Sequence, residues 1–362
     1  MQMKSPLLDI ALAMNEITYR ARAPLRLGLA GGGTDVSPYS DDFGGLILNV
    51  AIDKFAYATI LPRGDGLVEF YSADNDVRLC WEAQPVCVSD IEGIQLHKGV
   101  YNRIVKDFNG GKSISIDLVT HSEAPPGSGL GSSSAIVVAL IKVFCEYLDL
   151  PLGEYDIAKL AYEIERDDLN LAGGRQDQYS AAFGGLNFME FKGSSVIVNP
   201  LNIKVDYTKE LESSLLLFYT GRSRSSANII DQQSRNVRSG NEISINALHR
   251  VKSEALRMKQ ALITGDFETF VDSMRVGWNS KKKMAESISN DLIDEIYDSA
   301  IAAGALAGRV SGAGGGGFMI FFVDLAKRAQ VLTALSRFNG DSMTCNFYWE
   351  GASSWRRSCL RK

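Results

Sequence analysis

Residues 125–134 read Pro125-Pro-Gly-Ser-Gly-Leu-Gly-Ser-Ser-Ser134 and separate two runs of different periodicity. Before them, residues 113–120 place Ile114, Ile116 and Leu118 at every second position, the spacing of a strand with one face inward. After them, residues 135–148 are almost continuously apolar, which predicts a buried helix. The order is strand, glycine-rich loop, helix. Backbone N–H groups of such a loop, added to the positive end of a helix, gather several donors at one point and suit a di- or triphosphate. The hydroxyls of Ser132, Ser133 and Ser134 can add donors or a ligand for a hard cation. A serine-capped helix after a flexible turn would need fewer glycines.

Glycine elsewhere follows the same pattern. Of 34 glycines in 362 residues, 19 fall in four short windows, 28–45, 127–131, 173–185 and 308–317. Glycine concentrates where backbone turns sharply or approaches a ligand, so the windows predict loops meeting at one small-molecule site. Common glycine patterns fail. Gly111-Lys112-Ser113 lacks the earlier glycine of a Walker loop, since Lys106 stands there. Asp42-Phe43-Gly44 precedes every histidine of the chain, so it is no protein-kinase metal motif. Gly31-Gly-Gly33 does not make a dinucleotide fingerprint.

Charge and composition narrow the partners. The 38 basic and 43 acidic residues give a net charge of −5, with no basic footprint for nucleic acid. Arg356, Arg357, Arg361 and Lys362 read as a solvated tail. No apolar run is long enough to span a membrane, and residues 6–14 do not read as a signal peptide. Five scattered cysteines suit a reduced, cytoplasmic protein better than a zinc site.

Further strands are expected at 46–61, 67–72, 77–81, 183–191, 195–198, 215–219, 318–323 and around 347–349. Helices are expected at 154–171, through most of 239–303, and at 326–338. Strands dominate before about 205 and helices after it, which predicts an α+β chain in two lobes, 1–205 and 206–362.

Three motifs together carry a resemblance. Pro126-Gly-Ser-Gly-Leu-Gly-Ser-Ser133 is similar to the ATP-binding signature of the GHMP kinases, the family of galactokinase, homoserine kinase and mevalonate kinase. Ala23-Pro-Leu-Arg-Leu-Gly-Leu-Ala-Gly-Gly-Gly-Thr-Asp35 resembles that family's first motif, and Arg309-Val-Ser-Gly-Ala-Gly-Gly-Gly-Gly317 its third. Galactokinases carry Gly-Glu-His-Thr-Asp where this chain has Gly31-Gly32-Gly33-Thr34-Asp35. That form, with Gly174-Arg-Gln-Asp-Gln-Tyr179, resembles the bacterial heptose 7-phosphate kinases and their sugar-kinase relatives. Two missing side chains would open room beside the sugar.

The resemblance implies a ribosomal protein S5 domain 2-like N-terminal lobe and a ferredoxin-like C-terminal lobe, with ATP and Mg²⁺ between them. It implies that residues Pro126, Gly127, Ser128, Gly129, Leu130, Gly131, Ser132, Ser133 and Ser134 hold ATP. Asp177 matches the family's catalytic base and Arg26 the arginine that pairs with it. Glu165, 12 residues before Asp177, matches the metal glutamate, with Ser133 as the metal serine and Glu163 and Asp167 as competitors. Asp35, Thr34, Gly33, Arg175 and Gln176 fall on the sugar side. A sugar phosphate would need a cation, for which Arg224 is the first choice; Lys281-Lys-Lys283 reads more readily as a solvated helix face. The implied reaction is phosphorylation of the anomeric hydroxyl of D-glycero-D-manno-heptose 7-phosphate, toward nucleotide-activated heptose. An L-fucose or other monosaccharide 1-kinase, or a catalytically silent sugar and ATP sensor, stays open, as does a homodimer.

Overall fold

The structure is a computed structural model that describes residues 16–88, 91–222 and 226–359. Its strands in chain order are β1 (Glu16–Ala30), β2 (Gly45–Pro62), β3 (Leu67–Ser72), β4 (Val77–Glu82), β5 (Ile116–Ser122), β6 (Leu186–Lys192) and β7 (Ser195–Pro200). They continue with β8 (Leu215–Tyr219), β9 (Ala305–Val310), β10 (Phe318–Val323), β11 (Asp341–Met343) and β12 (Ser353–Cys359). Helices are α1 (Tyr39–Phe43), α2 (Gln95–Phe108), α3 (Ser132–Leu148), α4 (Glu154–Glu163), α5 (Gln176–Phe183) and α6 (Val205–Ser214). The later ones are α7 (Ser226–Arg238), α8 (Glu242–Thr264), α9 (Phe267–Lys281), α10 (Asp291–Ala302) and α11 (Arg328–Leu335).

One sheet runs β12-β1-β2-β5-β3-β4, with β6 also on β2 and β7 beyond it; a second, antiparallel sheet runs β11-β8-β10-β9. Helix α3 lies against β1 and β2 and buries Val137, Val138, Leu140, Ile141, Val143 and Phe144. Each such side chain contributes roughly 1.5–3 kcal/mol, so the helix behind the glycine loop is one of the best anchored in the fold. The second sheet joins the lobes by alternation. Leu217, Ile320 and Phe322 face the core shared with the first sheet, while Leu216, Phe218 and Phe321 face a second core with Leu248, Trp278 and Ile296. Covered on both faces and paired on both edges, β10 is apolar at every position.

Several expectations give way. The helix expected over 154–171 stops as α-helix at Glu163 and widens into a π turn, Ile164–Asp168, closed by Asn170 at φ +51°. The helix expected over 326–338 is a 3-10 turn, Leu325–Lys327, followed by α11. Around 347–349 there is only a single bridge, Phe347 to Ile52; the strand lies later, as β12 antiparallel to β1. Residues 353–359 therefore return to the first sheet. Arg356 of the expected tail sits in that strand, bonded to Glu146 at 2.7 Å and paired with Asp149. Among the described residues no helix is long and apolar enough to cross a membrane.

Candidate active site

All four glycine windows reach one cleft between the lobes. In the loop before α3, Gly127, Gly129 and Gly131 have φ of +71°, +82° and +76°, alternating with residues of ordinary φ. Alternation of this kind turns successive N–H groups toward one concavity, which is where an anion sits. The third glycine run supports the loop from behind: Ser311 Oγ donates to Gly129 O at 2.8 Å and Phe318 N to Ser128 O at 2.8 Å. A Cβ on Gly129 would lie 2.6 Å from Ser311 O, so neither backbone tolerates a side chain there. Gly312 and Ala313 also line the cleft.

Arg26, buried on β1, donates from Nε to Oδ1 of Asp177 at 2.8 Å, and its Nη2 lies 2.6 Å from the same oxygen. Oδ2 is left for another partner. Arg26 Nη1 also donates to Gly129 O at 2.6 Å, so one guanidinium ties the acid to the glycine loop. Asp177 is in the first turn of α5 and lines the cleft. That helix is fastened by Asp35, whose Oδ2 accepts from the backbone N–H of Arg175 (2.9 Å) and Gln176 (3.0 Å). Burial pushes the Asp35 carboxyl above the usual carboxylate range.

Glu165, on the π turn, is 2% exposed, and burial likewise raises its carboxyl. Ser134 Oγ donates to its Oε1 at 3.0 Å, and Gln178 Nε2 donates both to it and to Ser134 Oγ (3.1 Å). Ser134 rather than Ser133 is thus the serine that meets Glu165. Ser133 is exposed and lines the cleft on the first turn of α3. A buried carboxylate whose nearest cation, Arg166 Nη1, is 3.9 Å away, opening on the cleft that the glycine loop lines, fits Mg²⁺, which takes one or two carboxylates and completes its shell with phosphate oxygens and water. Among the described residues no cluster of three metal-ligating side chains exists.

Other expected residues separate. Gly33 and Gln176 line the cleft. Thr34 is fully buried behind it, its hydroxyl donating to Gly31 O (2.8 Å) and accepting from Leu46 N (3.0 Å). Arg175 turns toward Gly193 O and Asp41 (3.3 Å) and packs over Tyr162. Arg224 lies outside the described residues. The lysine triplet needs correction. Lys283 is exposed and Lys282 lies over Trp278, but Lys281 is 2% exposed and lines the cleft. The signal was present: Phe270, Met274 and Trp278 are the buried stripe of α9, and Lys281 occupies its next position. Sequence reading also missed Arg166, which donates to Leu171 O (3.1 Å) and Gly174 O (3.2 Å) and props the loop before α5. Gln233 of α7, donating to Gly33 O at 2.8 Å, carried no signal.

Known proteins resemble this chain over nearly its whole length. Residues 95–185 match the model of the GHMP kinases N terminal domain and residues 258–341 that of the GHMP kinases C terminal. A relative from Campylobacter jejuni, D-glycero-alpha-D-manno-heptose 7-phosphate kinase, is 46% identical over 340 residues, covering 94% of this chain and 99% of its own. A solved structure described as a D-glycero-D-manno-heptose 1-phosphate kinase from Bacteroides thetaiotaomicron superposes with a TM-score of 0.79 at 43% identity, covering 93% of this chain and 98% of its own. The L-fucokinase/L-fucose-1-P guanylyltransferase of Bacteroides fragilis is 24% identical, matching 82% of this chain but 34% of its own length. Both family domains occur in order, and a named kinase is 46% identical across nearly the whole of both chains: this chain belongs to the GHMP kinases, ATP-using phosphotransferases whose acceptor is an alcohol.

Proposed function

We propose that the chain transfers the γ-phosphoryl group of ATP to the anomeric hydroxyl of D-glycero-D-manno-heptose 7-phosphate, giving the 1,7-bisphosphate. The observation that carries this reading is the 46% identity, across nearly the whole of both chains, to the Campylobacter heptose 7-phosphate kinase. The name of the Bacteroides structure places a phosphate at C1 instead. A sugar already phosphorylated there has no anomeric hydroxyl to accept a second group, so the two acceptors are chemically exclusive for this reaction.

Phosphoryl transfer needs positioning and charge neutralisation more than covalent help. Residues 126–134 hold the triphosphate through the loop's backbone N–H groups and the start of α3. Asp177, held through Oδ1 by Arg26, receives the hydroxyl proton on Oδ2. An anomeric hydroxyl is more acidic than an ordinary alcohol, so a carboxylate suffices as base. Glu165 and Ser133 hold Mg²⁺, with Ser134 and Gln178 orienting the glutamate. The ion, when bound, neutralises phosphate charge. Asp35 and Gln176 bind sugar hydroxyls on the part of the cleft that they line with Gly33, and Thr34 shapes the turn that carries Asp35. Residues 1–205 and 206–362 are the two lobes, with the last strand lent back to the first. Dependence on ATP and the free thiols of Cys80, Cys87, Cys145 and Cys345 suit the cytoplasm.

ADP release with heptose 7-phosphate, heptose 1-phosphate, free heptose and L-fucose tests the reading. Turnover restricted to L-fucose would place the chain with the fucokinases. ATP binding without turnover on any sugar would make it a sensor.

A further inference from the structure

The missing side chain of Gly32 leaves a point faced by two charged groups. A Cβ on Gly32 would lie 3.4 Å from Arg309 Nη2 and 3.5 Å from Lys281 Nζ, so two cations converge on the point where a side chain is missing. The φ of Gly32 is outside the left-handed region, so its backbone does not demand glycine; what an added side chain would occupy is the space before the cations. Gly33, at φ +101°, is closed to any side chain, with Met284 Cε 2.5 Å from its Cβ position.

Both cations are buried, at 2% and 3% exposure, and neither is neutralised by an ion pair among the described residues. Lys281 Nζ donates to Gly312 O. Arg309 Nη1 donates to Leu29 O at 2.7 Å, and its Nε is buried without a hydrogen-bond partner. Asp35, the carboxylate nearest in charge to Lys281, is occupied by the backbone of Arg175 and Gln176. Burying positive charge without a counter-charge is costly, and proteins retain such an arrangement where an anion supplies the missing charge. Burial and the neighbouring Arg309 and Arg26 hold the Lys281 ammonium well below its ordinary value, which an arriving dianion would reverse.

We propose that Lys281, with Arg309 behind it, receives the phosphate that the acceptor sugar already carries, in the space left open by Gly32. Lys281 lines the same cleft as Gly33, Asp35, Gln233 and Asp177 and, through its bond to Gly312 O, stands beside the run that packs on Gly129, so a sugar whose reacting end meets Asp177 presents its charged end to Lys281 within that one cleft. This assignment rests on the acceptor being a sugar phosphate and gives α9 the role of selecting it over the free sugar.

The test measures kcat/KM on heptose 7-phosphate and on free heptose, and the KM for ATP, in the wild type, Lys281→Met, Lys281→Arg and Gly32→Glu. A ratio of the two sugar values is insensitive to a general loss of activity, and thermal melts establish that each variant is folded. The expected result is a fall of about 10- to 100-fold in the preference for the phosphorylated sugar in Lys281→Met, the size of one lost charge-assisted bond. Lys281→Arg is expected to keep most of the preference. Gly32→Glu, with a carboxylate before the cations, is expected to lose it. A preference in Lys281→Met and Gly32→Glu equal to that of a wild type active on heptose 7-phosphate overturns the inference alone. So does a raised KM for ATP with the sugar preference intact, which would assign Lys281 to the nucleotide. A wild type that ignores heptose 7-phosphate overturns the substrate reading and this inference with it.

Discussion

Asp35 accepts hydrogen bonds from both the backbone N–H (3.0 Å) and the side-chain Nε2 (3.3 Å) of Gln176. Gln176 immediately precedes Asp177, so the carboxylate of the first glycine motif fixes the first turn of the helix that carries the acid. Gly174 makes this possible, because a Cβ there would lie 2.0 Å from Asp35 Oδ2. Asp35, the proposed sugar ligand, and Asp177, the proposed base, are thereby coupled through Gln176.

Asp35→Ala is expected to lower stability by about 1 kcal/mol, the usual worth of a helix cap, even though it removes a buried charge. Asp35→Asn, which keeps one acceptor oxygen, should lose less. Urea midpoints at constant m-value measure the difference. A stability for Asp35→Ala equal to wild type would mean that α5 does not depend on this cap.

Asp177→Asn should lower kcat by roughly 10²–10⁴-fold, the range for a positioned acid–base group, while leaving ATP affinity near wild type. Single-turnover kinetics with calorimetric ATP titration separates the two effects. An unaffected rate would remove Asp177 from proton transfer.

Glu165→Gln separates function from stability. Burial raises the Glu165 carboxyl, so its charged form is a cost to the fold that the amide avoids. The variant is expected to melt no lower than wild type, yet to need about tenfold or more Mg²⁺ for half-maximal nucleotide binding. A lower melting temperature with an unshifted Mg²⁺ requirement would make Glu165 a structural residue.

His97 predicts an acid sensitivity away from the cleft. It is buried beside Thr120, with Nε2 3.0 Å from the hydroxyl, and burial lowers its pKa to about 4. The unfolded chain, near 6.5, takes up a proton first as pH falls, so stability is full above that value and is lost on the way down to about 4. Between pH 7.5 and 5 the loss is on the order of 2 kcal/mol. His97→Gln should flatten this part of the urea-midpoint profile. Parallel profiles for the two proteins would place the acid sensitivity elsewhere.

Where side-chain pattern and neighbours agree, the chain is readable without coordinates. Strands 67–72, 215–219 and 318–323 have the ends expected of them, because apolar runs there are bounded by turn residues. The pairing of Arg26 with Asp177, 151 residues apart, was reached through motif resemblance; no local periodicity relates them. Helix α5 is short and mixes glutamine, serine and alanine between glycines, so it gives no helical stripe. The π turn that aims Glu165 is invisible because no proline or glycine interrupts residues 154–171. Strand β12 is an edge strand bearing two exposed arginines, so the apolar residues Phe347 and Trp349 drew the strand reading toward a loop instead. Lys281 was misread because lysine triplets are ordinarily solvated, and its place on the apolar stripe of α9 shows only when the helix register is known.

The most direct measurement is ³¹P NMR of the product formed from ATP and D-glycero-D-manno-heptose 7-phosphate. The expected spectrum shows ADP appearing in step with a new phosphorus resonance coupled to the anomeric proton, alongside the retained 7-phosphate. ATP left intact with this sugar but consumed with an unphosphorylated sugar or with heptose 1-phosphate would contradict the proposed reaction.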